Sequence, residues 1–120
     1  MIEKEEVDRL VNEKYWGDFT IFSIIAKSFL SCRLDLIERL EKAVASGEEI
    51  AITGALRKLR VASELFPLGQ SSAMIANVEK TVAEHAAIDL ESELRLISQE
   101  ISSLASLLEW ILESRGQGQR

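Results

Sequence analysis

The stretch ASGEEIAITGALRKLRVASELFPLG, residues 45–69, contains a helix end, a complete helix and a helix stop. Ser46 and Gly47 close whatever precedes them, because glycine takes the left-handed conformation of a helix C-cap without a steric penalty. Glu48 and Glu49 follow, and their negative charge suits the positive N-terminal end of a new helix. Within it Ile52, Leu56, Leu59, Ser63 and Phe66 recur every three or four residues and predict one inward stripe. Pro67 ends the helix, since it has no amide hydrogen to donate and pushes Phe66 out of the helical region. The turn at Gly47 is short. The helices on either side of it are therefore expected to be antiparallel neighbours.

The same pattern continues outward in both directions. Upstream, Asp18 is a candidate N-cap for a long helix reaching about Ala45, with Phe19, Phe22, Ile25, Phe29, Cys32, Leu36, Leu40 and Ala43 on one face. Asp35 with Arg39 and Glu38 with Lys42 place i,i+4 pairs on its outer side. Before it, residues 3–14 carry Val7, Leu10 and Val11, together with Ile2, at helical spacing and form a short lead-in helix, with Glu5 and Arg9 as a further i,i+4 pair. Downstream, Gly69 to Ser72 opens a fourth helix whose inward side is Ile75, Val78, Val82 and His85. In the last helix Leu90, Leu94, Ile97, Ile101, Leu104, Leu108 and Ile111 alternate in steps of four and three, the seam of a bundle or coiled coil. The expected fold is all-α: an antiparallel up-and-down four-helix bundle with a short N-terminal cap helix, one domain over residues 1–114. Residues 115–120, the end of the polar run SRGQGQR, are expected to form a disordered tail.

Composition narrows the function classes. A chain of 120 residues with 47% hydrophobic and 28% charged residues suits one globular domain that needs no disulfide or structural metal. The formal charge of −6 repels phosphate backbones and anionic lipid heads, so neither nucleic acid nor a membrane surface is expected as a partner. The longest apolar stretch, Phe19 to Cys32, is interrupted by Lys27 and several hydroxyl residues and is too short to cross a bilayer. The acidic N-terminus MIEKEEVDRL lacks the basic start of a signal peptide, which points to the cytoplasm. The single cysteine, Cys32, flanked by Phe29, Leu30 and Leu34, reads as a small buried hydrophobe in a reducing compartment.

Catalytic constellations are missing from the sequence. There is no nucleophile elbow, P-loop, HExxH or dinucleotide turn, and no second histidine. No enzyme activity and no cofactor are expected. His85 lies near the junction of the fourth and fifth helices, beside Glu84 and one turn before Asp89, where a carboxylate could orient its ring. The plainer reading is a helix-end histidine in solvent. His85 and Asp89 make an incomplete ligand set, so no metal is expected. Tyr15, Trp16 and Trp110 are read as packing residues at the bundle ends rather than as a ligand cage.

The helix order, the phenylalanine-rich second helix (Phe19, Phe22, Phe29), the turn Ala45-Ser46-Gly47-Glu48 and the closing Leu68-Gly69 together resemble the histidine-containing phosphotransfer (HPt) domain over nearly the whole chain. That family carries A-H-x-L-K-G-S-x-x-x-L-G on its third helix. Counting back from Leu68-Gly69 without a gap puts Leu59 in the phosphoacceptor position, and a slip of one or two residues puts Arg60 or Val61 there. None of the three offers an imidazole. Phosphotransfer needs an exposed ring nitrogen and a nearby lysine, so the resemblance implies a member that has lost its chemistry and kept its surface.

The implied partner is a response-regulator receiver or a histidine kinase. Arg57, Lys58, Leu59, Arg60 and Glu64 would form the partner-binding patch, with the basic cluster facing an acidic pocket. A solvated helix face is the alternative for the same cluster. If Leu59 is exposed, a partner should cover it; if it is buried, the register has slipped and Leu59 is core. A second functional reading, from a different class, is a helical assembly or chaperone-like module, in which the Leu90 to Ile111 seam pairs with another chain, as in a homodimer. A third is true phosphotransfer at His85.

Overall fold

The structure, a computed structural model, describes residues 4–85 and 88–118. They form five helices: α1 (Lys4–Lys14), α2 (Phe19–Ser46), α3 (Glu49–Glu64), α4 (Ser71–Ala83) and α5 (Leu90–Gly118), with no strand among the described residues. The molecule is elongated, 50 × 23 × 22 Å, as the length of α2 and α5 requires. Helix α3 packs on α2 and α4, and α5 also packs on α2 and α4. The all-α expectation therefore holds.

The boundaries follow from local chemistry. The Asp18 carboxylate accepts from the amides of Thr20 (2.8 Å) and Ile21 (3.3 Å), satisfying two donors that the first turn of α2 leaves free. Gly47 caps the other end with φ of 71°, its amide donating to the carbonyls of Ala43 and Val44. Helix α3 ends at Glu64, two residues before Phe66, and Phe66 donates its amide to the Ser63 carbonyl. Asp89 opens α5 by accepting from the amide and hydroxyl of Ser92. These bonds hold its carboxyl below the ordinary carboxylate range.

One core runs the length of the molecule. The α3 stripe is buried at Ile52, Leu56, Leu59, Ser63 and Phe66 as its spacing predicts, and the Ser63 hydroxyl is satisfied by the Leu59 carbonyl at 2.9 Å. At one end Phe66 sits among Phe22, Phe29 and Tyr15, with ring centroids 5.8, 5.4 and 6.4 Å away. The Tyr15 hydroxyl donates to the Leu65 carbonyl at 2.7 Å, so the end of α1 is tied to the orphan carbonyl at the end of α3. Val7, Leu10 and Val11 bury the inward side of α1, while Ile2 lies outside the described residues.

Three expectations change. Cys32 is exposed, not buried: it lines an open apolar groove between α2 and α3, with Ala62 and Leu65 also in the lining. His85 is exposed, as its plainer reading expects, in a turn with φ of 56° that carries it off the inward side of α4. Trp16 is 83% exposed, because the left-handed turn it shares with Gly17 throws the indole outward. Arg115 is helical rather than part of a loose tail, held by an ion pair with Asp8 and lying over the Phe19 ring at 5.8 Å. The last residues of that expected tail, 119–120, lie outside the described residues.

Candidate docking surface

The residues grouped by sequence on α3 separate in space, because consecutive helical positions point about 100° apart. Leu59 is fully buried, which removes it from any surface: the phosphoacceptor position counted without a gap is core. Arg60 turns toward α4, its Nε 2.5 Å from Glu79 and a terminal nitrogen 2.7 Å from Glu64. Two carboxylates hold its guanidinium above the ordinary arginine range, the Glu79 hydrogen bond first. Arg60 and Glu64 thus balance each other's charge within α3, and the pair of Arg60 with Glu79 braces α3 against α4. Arg57 and Lys58 are exposed, as is Val61 at 53%.

Lys58 meets cations that the sequence grouping missed. With Arg39 and Lys42 of α2 it rims a groove of about 430 Å³ whose floor is Ala43, Ala51, Gly54 and Ala55. Lys42 pairs with Glu38 at 2.9 Å, but both side chains are mostly in solvent, where such a pair is weak. A Cβ placed on Gly54 would meet nothing within 4 Å. The glycine therefore leaves bare helix backbone open at the groove floor.

Further along the same α2 and α3 seam lies an apolar groove of about 350 Å³, lined by Ile24, Ile25, Phe29, Cys32, Ala62 and Leu65 among others. Ile24 is 64% exposed and Leu65 40%. The two grooves follow one another, residues 24–36 of α2 lining the apolar one and 39–43 the cationic one. At about 1.5 Å per residue the seam is roughly 28 Å long. Ile24 had one signal in the sequence, an isoleucine that falls off the Phe22, Ile25, Phe29 stripe. Arg39 and Lys42 were masked by carboxylates four residues before them.

His85 stands apart from this seam. Its Nδ1 is 3.4 Å from Glu49 at the start of α3, and both side chains are at least half exposed. Asp89, one of two carboxylates that could orient the ring, instead accepts from the amide and hydroxyl of Ser92. No group of three or more potential metal ligands occurs among the described residues, and none of their helices is long and apolar enough to cross a membrane. A comparison with models of known families, with curated proteins and with solved structures returned no match to this chain.

Proposed function

We propose that the chain is an antiparallel up-and-down four-helix bundle capped by α1, similar to an HPt domain, and that it acts as a non-catalytic adaptor. The short Gly47-Glu48 connection and the packing of α3 and α5 each on both α2 and α4 support the bundle. Its partner presents an acidic surface, as a response-regulator receiver or a histidine kinase would, and docks along the α2 and α3 seam. The observation that carries this reading is Gly54. A glycine inside a helix costs about 1 kcal/mol relative to alanine, and nothing in this chain occupies the space a methyl group would take. Beside it, Arg39, Lys42 and Lys58 form a cationic rim on a chain of net charge −6.

Burial of Leu59 also supports a revised register. Leu59 suits the leucine of A-H-x-L-K rather than its histidine, which sets Arg57 in the position of the imidazole and Arg60 in that of the lysine. A guanidinium stays protonated and has no lone pair to accept a phosphoryl group. Docking without transfer follows.

The assembly reading has less support along its seam, where Ile97, Ile101, Leu104, Leu108 and Ile111 are buried within the chain, while Trp110 stays 39% exposed. Two measurements test the adaptor. Binding to a panel of receiver domains should fall about tenfold or more for a Lys42→Glu, Lys58→Glu double variant, with the melting temperature little changed. Incubation with a phosphorylated receiver should leave no acid-labile phosphate on the chain. Labelled His85, or binding indifferent to the charge reversals, defeats the proposal.

A further inference from the structure

A second concave site lies away from the docking seam, between α1 and the last turns of α5. Its walls are Val7, Ile111 and Trp110, its volume is about 300 Å³, and Lys4, Ser114 and Arg115 complete the lining. It arises from helix lengths. Helix α4 has 13 residues and α5 has 29, so α4 leaves the far part of α5 uncovered and the 11-residue α1 covers it incompletely.

The chemistry of the lining is one-sided. The chain carries 20 acidic and 14 basic residues, yet among the described residues the cleft is lined by two cations and no carboxylate. The Arg115 guanidinium is positioned in advance, paired with Asp8 on one side and resting over the Phe19 ring on another. Asp8 takes only part of the five-donor fork and leaves further N–H groups for another acceptor. Lys4 adds a mobile ammonium and Ser114 a hydroxyl, and the Trp110 indole, 39% exposed, offers a flat apolar wall. Cations near an open indole and an apolar floor match one kind of ligand: a flat apolar body bearing one negative charge.

We propose that this cleft binds a small aromatic monocarboxylate, its ring against Trp110, Val7 and Ile111 and its carboxylate between Lys4 and Arg115. A volume of about 300 Å³ is at the lower end for ligand pockets, which limits the occupant to one or two fused rings. The proposal does not depend on the adaptor reading.

The test follows amide and indole resonances of the full-length protein during titration with 2-naphthoate and, separately, with neutral 2-naphthamide. The expected result is saturable shifts at the Trp110 indole N–H and the amides of Lys4 and Ser114, with the naphthamide bound about tenfold more weakly. Lys4→Ala should weaken naphthoate about three- to tenfold and leave naphthamide unchanged. Ser114→Trp, made at an exposed position that the core does not use, should fill the cleft and abolish binding of both. Equal affinity for the two probes, shifts centred on the α2 and α3 seam, or no shifts with naphthoate at millimolar concentration would overturn the proposal.

Discussion

The two ends of the α2 and α3 pair are built from different materials. At the end marked by Phe66, four aromatic rings interlock: Phe66 against Phe22, Phe29 and Tyr15, all buried. Toward the Gly47 turn the facing residues are Ala43, Ala51, Gly54 and Ala55. Large rings fill the space between helices and fix their relation, whereas small residues let the outer surface sink into a groove. The contrast separates a region that the chain needs for itself from one that its own packing leaves open.

The largest test of that contrast is Phe66→Ala. Phe66 is 2% exposed and touches rings from α2 and from the end of α1, so its removal leaves a cavity that rigid neighbours cannot close. The expected loss is about 3–5 kcal/mol in denaturant unfolding. A loss under about 1 kcal/mol would mean that the aromatic end does not anchor the fold.

The buried side of α3 and its two stops were the more legible in the sequence. The stripe Ile52, Leu56, Leu59, Ser63, Phe66 was readable because a helix with neighbours on two sides must place its apolar residues at a 3.6 period. The stops at Gly47 and Pro67 were readable because each acts through its own backbone. What failed was position on a flank. Cys32 and Ile25 sit at similar angles on α2, yet Cys32 is exposed, because periodicity along one helix does not say where its neighbours pack. The cationic groove was missed for a related reason: Arg39 and Lys42 join Lys58 only across two helices, and no local spacing encodes that meeting. Counting from Leu68-Gly69 put Leu59 on the surface because a count along the chain carries no angle around the helix, and Leu59 is buried.

Tyr15 gives the next effect. Its hydroxyl donates to the Leu65 carbonyl at 2.7 Å, and burial raises its pKa above the ordinary 10.0. A raised folded pKa means that this contribution is complete below pH 10.0 and is lost as pH rises through the folded value. Because the chain has one tyrosine, the ultraviolet phenolate signal reports Tyr15 alone and should appear above pH 10.0 in the folded protein. Tyr15→Phe should cost about 1–2 kcal/mol at neutral pH and flatten the alkaline limb of the stability profile. Titration at the ordinary phenol value would show that the aromatic end is open to water.

The glycines sharpen the other side of the comparison. Gly47 has φ of 71° with nothing within 4 Å of an added Cβ, so Gly47→Ala isolates backbone strain and should destabilise by about 1 kcal/mol. Gly54 has the same empty surroundings but sits inside α3 with ordinary helical geometry. There the sign reverses. Gly54→Ala should stabilise the protein by about 0.5–1 kcal/mol, because alanine loses less freedom on forming a helix. The same methyl group would stand on the groove floor between Ala51 and Lys58, so partner affinity should fall while unfolding resistance rises. A gain in stability with unchanged binding would mean that the groove is an ordinary surface dip and would return Arg39, Lys42 and Lys58 to the status of solvated charges. A gain accompanied by weaker binding is the outcome that only a docking surface produces, since a purely structural residue would move both quantities in the same direction.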